Sequence, residues 1–309
     1  MRKTIYITTL MYALMVATLS CTRDPIVYPT ANYYIAISSE NELESTPSKI
    51  YGVNFYDATD GKLALRKVIY VENHPDNLPR GGYLEALTPG DYVMLVYRYD
   101  TKNTKINNDA NISKAYANTD TYSYNKNVPI IKMPDHMYVD LREISIPYVT
   151  EDDGLYIIES HPSTMLETYS VTIHGIKDLS KAVTADLYIS GQAPGRWLGP
   201  GGGLLDDTAI ISWRADLTPR TRTTNGETIY TEYTTFGQST TNDRALLTLY
   251  VTGPGGTTTW GQMDVSEIIE SGKKDIDVTI ELEVTENQQS GFDPEAEKWI
   301  PEVTDIELE

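Results

Sequence analysis

Apolar and polar positions alternate with a period of two in stretch after stretch of this chain. From Ala31 to Ser38, Tyr33, Ile35 and Ile37 alternate with Asn32, Tyr34, Ala36 and Ser38, which predicts a half-buried strand. Lys49–Tyr56 repeats the pattern through Tyr51, Val53 and Phe55, and Asp57-Ala58-Thr59-Asp60-Gly61 supplies turn residues. Gly81–Leu87 and Tyr92–Tyr99 read as a hairpin punctuated by Pro89 and Gly90. Its second arm is apolar on both faces except at Arg98, as a central strand is. Thr101–Asn127, rich in Asn, Thr, Ser and Tyr, has no clear period and reads as a long loop, or a loop carrying short strands. Val128–Ile131 and Met137–Leu141 read as strands returning to the first sheet.

A second series begins at Thr168–His174, with Tyr169, Val171 and Ile173 on one face. Ala182–Ile189 follows, with Val183, Ala185, Leu187 and Ile189 alternating, then Thr208–Arg214, Thr228–Phe236 and Ala245–Val251. A single short helix is predicted over Val265–Ser271, with Asp264 as N-cap and Gly272 closing it. Lys274–Val284 is the cleanest strand: Ile276, Val278, Ile280, Leu282 and Val284 share one face, and Asp275, Asp277, Thr279, Glu281 and Glu283 the other. A slip of one residue would bury four carboxylates, so the register is firmly set. The fold class expected is all-β, two β-sandwiches in tandem, spanning residues 21–160 and 161–309.

Ahead of these strands, Met1-Arg2-Lys3 leads into an apolar run from Ile5 to Leu19 that ends at Cys21. As a helix that run covers only about 22 Å, short of the roughly 30 Å hydrocarbon core. It is therefore read as a cleaved signal segment, residues 1–20. Thr18-Leu19-Ser20-Cys21 resembles the bacterial lipobox, which implies that Cys21 is lipidated and becomes the new N-terminus. Cys21 is the one cysteine in 309 residues. No disulfide can brace the fold, and the core must hold it.

Composition narrows the partners. The 44 acidic and 25 basic residues give a formal charge of −19, which repels nucleic acid and anionic headgroups. With 23 Tyr, many Thr and only 3 Phe, the composition favours strands over helices.

Tyr51-Gly52-Val53-Asn54-Phe55-Tyr56-Asp57, Leu87-Thr88-Pro89-Gly90-Asp91-Tyr92, His174-Gly175-Ile176, Leu187-Tyr188-Ile189-Ser190-Gly191, Thr235-Phe236-Gly237, Leu247-Thr248-Leu249-Tyr250-Val251, Met263-Asp264-Val265 and Gly291-Phe292-Asp293 carry a resemblance in order and spacing. Together they resemble the FimB-type fimbrial anchor and minor-subunit lipoproteins of Bacteroidetes. The resemblance implies two transthyretin-like sandwiches and a diacylglyceryl group on Cys21. It also implies an outer-membrane, cell-surface location and a base or accessory place in a fimbria, with fimbrial subunits or other surface proteins as partners. In that family, stalk subunits lose their first strand by cleavage after an arginine. Here Arg23 precedes the first strand and Arg66 lies beyond the second, so neither cut opens a groove; a cut at Lys49 would remove only the first strand.

No catalytic, cofactor or metal site is expected. Gly199-Pro200-Gly201-Gly202-Gly203 lacks the Gly-Lys-Ser/Thr ending of a phosphate loop and reads as a sandwich loop. His74, His136, His161 and His174 are widely separated, with no i, i+4 pair. Asp57/Asp60, Glu151-Asp152-Asp153 and Asp206-Asp207 lack the ligand spacing of an EF-hand, although irregular calcium loops need no motif. Exposed tyrosines with Trp197, Trp213 and Trp260 suit either a sandwich core or a sugar-stacking platform. The second possibility makes a surface glycan-binding lipoprotein, with a host or dietary glycan as partner, the alternative function.

Overall fold

The computed structural model describes residues 33–38, 49–71, 78–217, 228–241 and 244–285. The chain opens with β1 (Tyr33–Ile37), β2 (Ile50–Asp57) and β3 (Leu63–Tyr70). A short β4 (Gly81–Tyr83) precedes the long β5 (Gly90–Arg98). The Asn-rich stretch folds into β6 (Thr104–Asn107), a 3-10 turn at Ile112–Lys114, β7 (Tyr116–Thr119) and β8 (Thr121–Asn125). Then come β9 (Val128–Lys132), β10 (Tyr138–Ile146), β11 (Tyr156–Ser160) and β12 (Ser163–Thr164). The second half runs through β13 (Glu167–Lys177), β14 (Thr184–Gln192), β15 (Gly195–Trp197) and β16 (Ala209–Arg214). It continues with β17 (Ile229–Thr235), β18 (Leu246–Thr252) and β19 (Thr258–Asp264), and ends with helix α1 (Ser266–Glu270) and β20 (Asp275–Glu283).

Two sandwiches result, as the alternation predicts. In the first, a three-stranded sheet ordered β11-β1-β4 faces a five-stranded sheet ordered β12-β10-β5-β2-β3. Tyr33, Ile35, Tyr51, Val53, Phe55, Met94, Val96 and Ile158 fill the space between them. In the second, β17-β13-β20 faces a six-stranded sheet ordered β19-β18-β14-β16-β9-β8. Its core includes Tyr169, Val171, Ile173, Leu187, Leu249 and Ile276. The face of β20 is as read: Ile276, Val278 and Ile280 are buried, and Asp275, Asp277, Glu281 and Glu283 point to water.

β5 is central, and the reason it is apolar on both faces is visible. Tyr92, Met94 and Val96 enter the first core. Val93, Leu95 and Tyr97 enter a third cluster with Tyr56, Ile112, Ala117, Leu166, Leu198 and Phe236, built around a small sheet ordered β15-β7-β6. That cluster draws side chains from both halves of the sequence and welds the two sandwiches together.

Several expectations need correction. β9 does not return to the first sheet: Ile130 and Ile131 pair in parallel with Ile210 and Ile211 of β16, so a hairpin from the first half completes the second sandwich. β4 and β5 are not a hairpin either, because β4 pairs with β1 in the opposite sheet. β1 is buried at all five positions rather than half-buried, since it lies between two strands and beneath side chains on both faces. Val183 precedes β14 and is 61% exposed, whereas Ala185, Leu187 and Ile189 are buried. The helix is shorter than predicted and its N-cap is Val265, one residue later than the predicted Asp264, whereas Gly272 follows its C-terminal end as read. Asp264 Oδ1 accepts from Ser266 N at 3.0 Å, and Gly272, at φ +76°, donates its N–H to Ile269 O at 2.9 Å. The pattern does not predict β3, β11, β12, β15 or β19.

Candidate functional site

The seat of β1 stands out as a place where one short segment holds a sheet together. β1 pairs in parallel with β11, Tyr33 opposite Tyr156 and Ile37 opposite Ser160. It pairs antiparallel with β4, Tyr34 opposite Tyr83. The ladder extends past its ends through Ile37 N to Arg80 O at 2.8 Å, Ser38 N to Ser160 O at 3.0 Å and Leu84 N to Tyr33 O at 2.9 Å. Among the described residues β4 and β11 have no other strand partner, so five residues carry the whole three-stranded sheet.

Side chains lock the strand from both faces. Tyr33 OH donates to Pro147 O and Tyr34 OH to Pro79 O, each at 2.6 Å. The Tyr33 and Tyr156 rings meet edge-on at 6.1 Å, and those of Tyr34 and Tyr83 at 5.2 Å. Burial pushes both phenols above their ordinary pKa, so they stay neutral donors. Fully burying a large apolar side chain is worth about 1.5–3 kcal/mol. Withdrawing Tyr33, Tyr34, Ile35 and Ile37 together would therefore open a deep apolar slot flanked by two unpaired strand edges.

The residues singled out from sequence fall in several places. Cys21, the lipobox, Arg23, His74, Gly291-Phe292-Asp293 and the expected signal segment lie outside the described residues. Arg66 is in the middle of β3, ion-paired with Asp109 at 2.7 Å. Lys49 immediately precedes β2.

The glycine loop is a turn packed against backbone at two of its glycines. A Cβ at Gly199 would lie 2.8 Å from Ile112 O, and one at Gly202 would lie 2.6 Å from Trp197 O. Those two glycines abut backbone, whereas Gly201 and Gly203 face open space, and the loop lines one side of a surface cavity of about 380 Å³ without the helix N-terminus of a phosphate loop. His161 bonds Ser38, and His174 bonds Thr228 and Asp277, far apart in the fold. Asp57, Asp60, Asp153 and Asp207 accept backbone N–H groups of their own turns. No group of three or more His, Cys, Asp or Glu suited to a metal occurs among the described residues. No helix among them is long and apolar enough to cross a membrane.

The tryptophans divide between core and surface. Trp213 is buried, stacks on Tyr233 at 5.0 Å, and donates to Thr231 Oγ1 at 3.1 Å. Trp197 lies edge-on against Tyr116 at the small sheet. Trp260 is 54% exposed on β19 and lies nearly parallel to Tyr250, 6.3 Å away. Tyr250 in turn meets Tyr188 edge-on at 5.5 Å.

Three side chains beside this file were not singled out: Tyr122, Asp186 and Arg214. The alternation of β14 already places Asp186 and Tyr188 opposite its buried face. Tyr122 needs the structure, because it is the extra residue where the β8–β9 register shifts between Thr121 and Ser123.

Comparison with known proteins places the fold. No curated protein matches the sequence. Among solved structures, a candidate adhesin from Bacteroides ovatus is 19% identical, with a TM-score of 0.59 over 87% of this chain and 98% of that one. A second candidate adhesin from Bacteroides ovatus is 9% identical, with a TM-score of 0.50 over 83% of this chain and 91% of that one. The fimbrial anchor protein Mfa2 from Porphyromonas gingivalis is 13% identical, with a TM-score of 0.47 over 80% and 88%. At these identities the first two likenesses speak for the fold, which is the tandem-sandwich fold implied by the sequence resemblance. The profile of a domain of unknown function, DUF5119, matches residues 53–211, a stretch running from β2 of the first sandwich to β16 of the second, and this chain belongs to that family.

Proposed function

We propose that this chain is a lipid-anchored cell-surface subunit associated with fimbriae, at an anchor or accessory position. It works without catalysis, through strand-mediated contacts with fimbrial subunits or other surface proteins. The seating of β1 carries this reading. A five-residue segment with backbone partners on both sides and buried side chains on both faces has the geometry that strand addition uses. A subunit that keeps its own strand in that position has a complete first sandwich and suits the end of a polymer. The shared fold with candidate adhesins supports a surface role.

In this reading Cys21 carries the lipid that holds the protein at the outer membrane, since several acyl chains anchor far more durably than one. The mature chain comprises two units, 21–160 and 161–309, with the β8–β9 hairpin of the first lent to the second sheet. The test is fractionation of cells carrying Cys21→Ser. Release of the protein from membranes, or a block in its maturation, is expected. A variant that stays membrane-bound and is processed at the same place contradicts the tether.

A second reading, a surface glycan-binding lipoprotein, is favoured by one observation, the file in which exposed Trp260 continues the half-buried rings of Tyr250 and Tyr188.

A further inference from the structure

We propose that the outer face of the six-stranded sheet binds an uncharged glycan, through Trp260, Tyr250, Tyr188 and Tyr122 and the Asp186–Arg214 pair between them. This deepens the glycan-binding reading by giving it a site and a ligand class, and it does not depend on how the β1 seat is used. The face belongs to the second sandwich, and the seat to the first.

The strand register brings these residues together. Trp260 is opposite Tyr250, Tyr250 opposite Asp186, and Asp186 opposite Arg214, across four neighbouring strands. One step along, Tyr188 stands between Thr248 and Ser212. Strands lie about 4.8 Å apart, so the row from Trp260 to Arg214 spans roughly 14 Å of open sheet. Tyr122 closes the far side. The bulge in β8 frees its side chain to cross β9, and its hydroxyl donates to Ser212 Oγ on β16 at 2.8 Å. Tyr122, Asp186, Tyr188, Ser212 and Arg214 line a cavity of about 380 Å³.

The chemistry of this face selects its occupant. A pyranose has a C–H face and a rim of hydroxyls, and the electron-rich face of an aromatic ring attracts such C–H groups. Asp186 takes Arg214 Nε at 2.6 Å on Oδ1 and Nη2 at 3.2 Å on Oδ2. The pair is bidentate, yet a carboxylate has about four acceptor sites and a guanidinium five donors, so both keep capacity for sugar hydroxyls. Burial pushes the Tyr188 phenol up, and Tyr122 and Asp186 push it further, so it remains a donor.

Anionic ligands fit poorly, because Asp186 neutralises Arg214 and the protein as a whole carries −19. A protein partner would ask for a continuous apolar patch. Here the rings are interleaved with Gln262, Thr248, Ser212 and Lys132. Trp260 sits on an edge strand, and the ring contact it makes is with Tyr250, so its exposure is not explained by packing.

The test is a glycan array holding neutral plant, yeast and mucin-type oligosaccharides beside sulfated and uronic-acid ones, probed with the mature protein. Calorimetry with the best neutral oligosaccharide follows. Trp260→Ala and Arg214→Gln are each expected to weaken binding by about tenfold or more. Tyr70→Ala, at a tyrosine 66% exposed on β3, is expected to bind like wild type. Thermal midpoints confirm that the variants are folded, and their membrane association is expected to be unchanged, which separates this site from the Cys21 tether. Retention of no neutral glycan, retention of anionic glycans alone, or wild-type affinity in both face variants would each overturn the proposal. If wild type binds a neutral glycan and both face variants still do, glycan binding survives but lies elsewhere.

Discussion

Tyr33 and Tyr156 lie side by side in parallel register, their rings edge-on at 6.1 Å, although 123 residues separate them in sequence. Tyr156 belongs to β11, at the end of the first sandwich, and Tyr33 to the first strand described. The contact joins the beginning and end of one sandwich, so the first sheet is complete only when β1 is in place.

Ile35, at the middle of β1, is fully buried. Ile35→Asp puts an unpaired carboxylate there and is expected to cost several kcal/mol in a urea titration. Val183→Asp, at a site 61% exposed, is expected to change stability by under about 1 kcal/mol. Similar losses in both variants would mean that β1 does not hold the first sheet.

The facing of β20 makes a paired prediction. Ile280 is buried and Thr279, its neighbour, points to water. Ile280→Asp is expected to destabilise by several kcal/mol, and Thr279→Asp far less. Equal midpoints in a denaturant series would contradict the assigned register.

Glu167 gives a prediction in pH. Burial pushes its carboxyl up, but hydrogen bonds from Lys274 Nζ at 2.7 Å and Tyr169 OH at 2.9 Å, with the Lys274 charge, outweigh burial and hold it below the ordinary range. A folded pKa below the unfolded value of about 4.3 gives stability that is fully present above that pH and lost as pH falls through the folded value. The stability difference between wild type and Glu167→Gln is therefore expected to narrow as the pH drops below about 4.3. A difference that stays constant or widens would mean that the carboxylate is not held by Lys274. Glu167 is half-exposed, so solvent keeps the effect modest.

Much of the fold was legible because an exposed sheet face forces alternation. β20 and β14 display their buried and wet faces in the sequence itself, and β5 announces its central place by being apolar on both sides. Pairing was not legible. Nothing in Val128–Lys132 distinguishes a strand that returns to β10's sheet from one that crosses to β16, since its burial on both sides is satisfied in either. β3 escaped notice because Arg66 and Lys67 interrupt its apolar positions, although Arg66 is ion-paired on the surface with Asp109.

The site was legible to the same extent. The strand β1 could be read, but its double partnership could not, because β4 and β11 are remote in sequence. Trp260 could be singled out, but the bulge that aims Tyr122 across a neighbouring strand depends on register alone.

The central claim is that Tyr33–Ile37 stays in the mature protein and completes its own first sandwich. N-terminal mass spectrometry of protein recovered from the cell surface tests it most directly. The expected mature form begins at lipid-modified Cys21 and contains Tyr33, Ile35 and Ile37. A mature form beginning between Ser38 and Lys62 would show that β1 is removed, and would contradict the self-complete subunit in favour of one whose slot is filled by a neighbour.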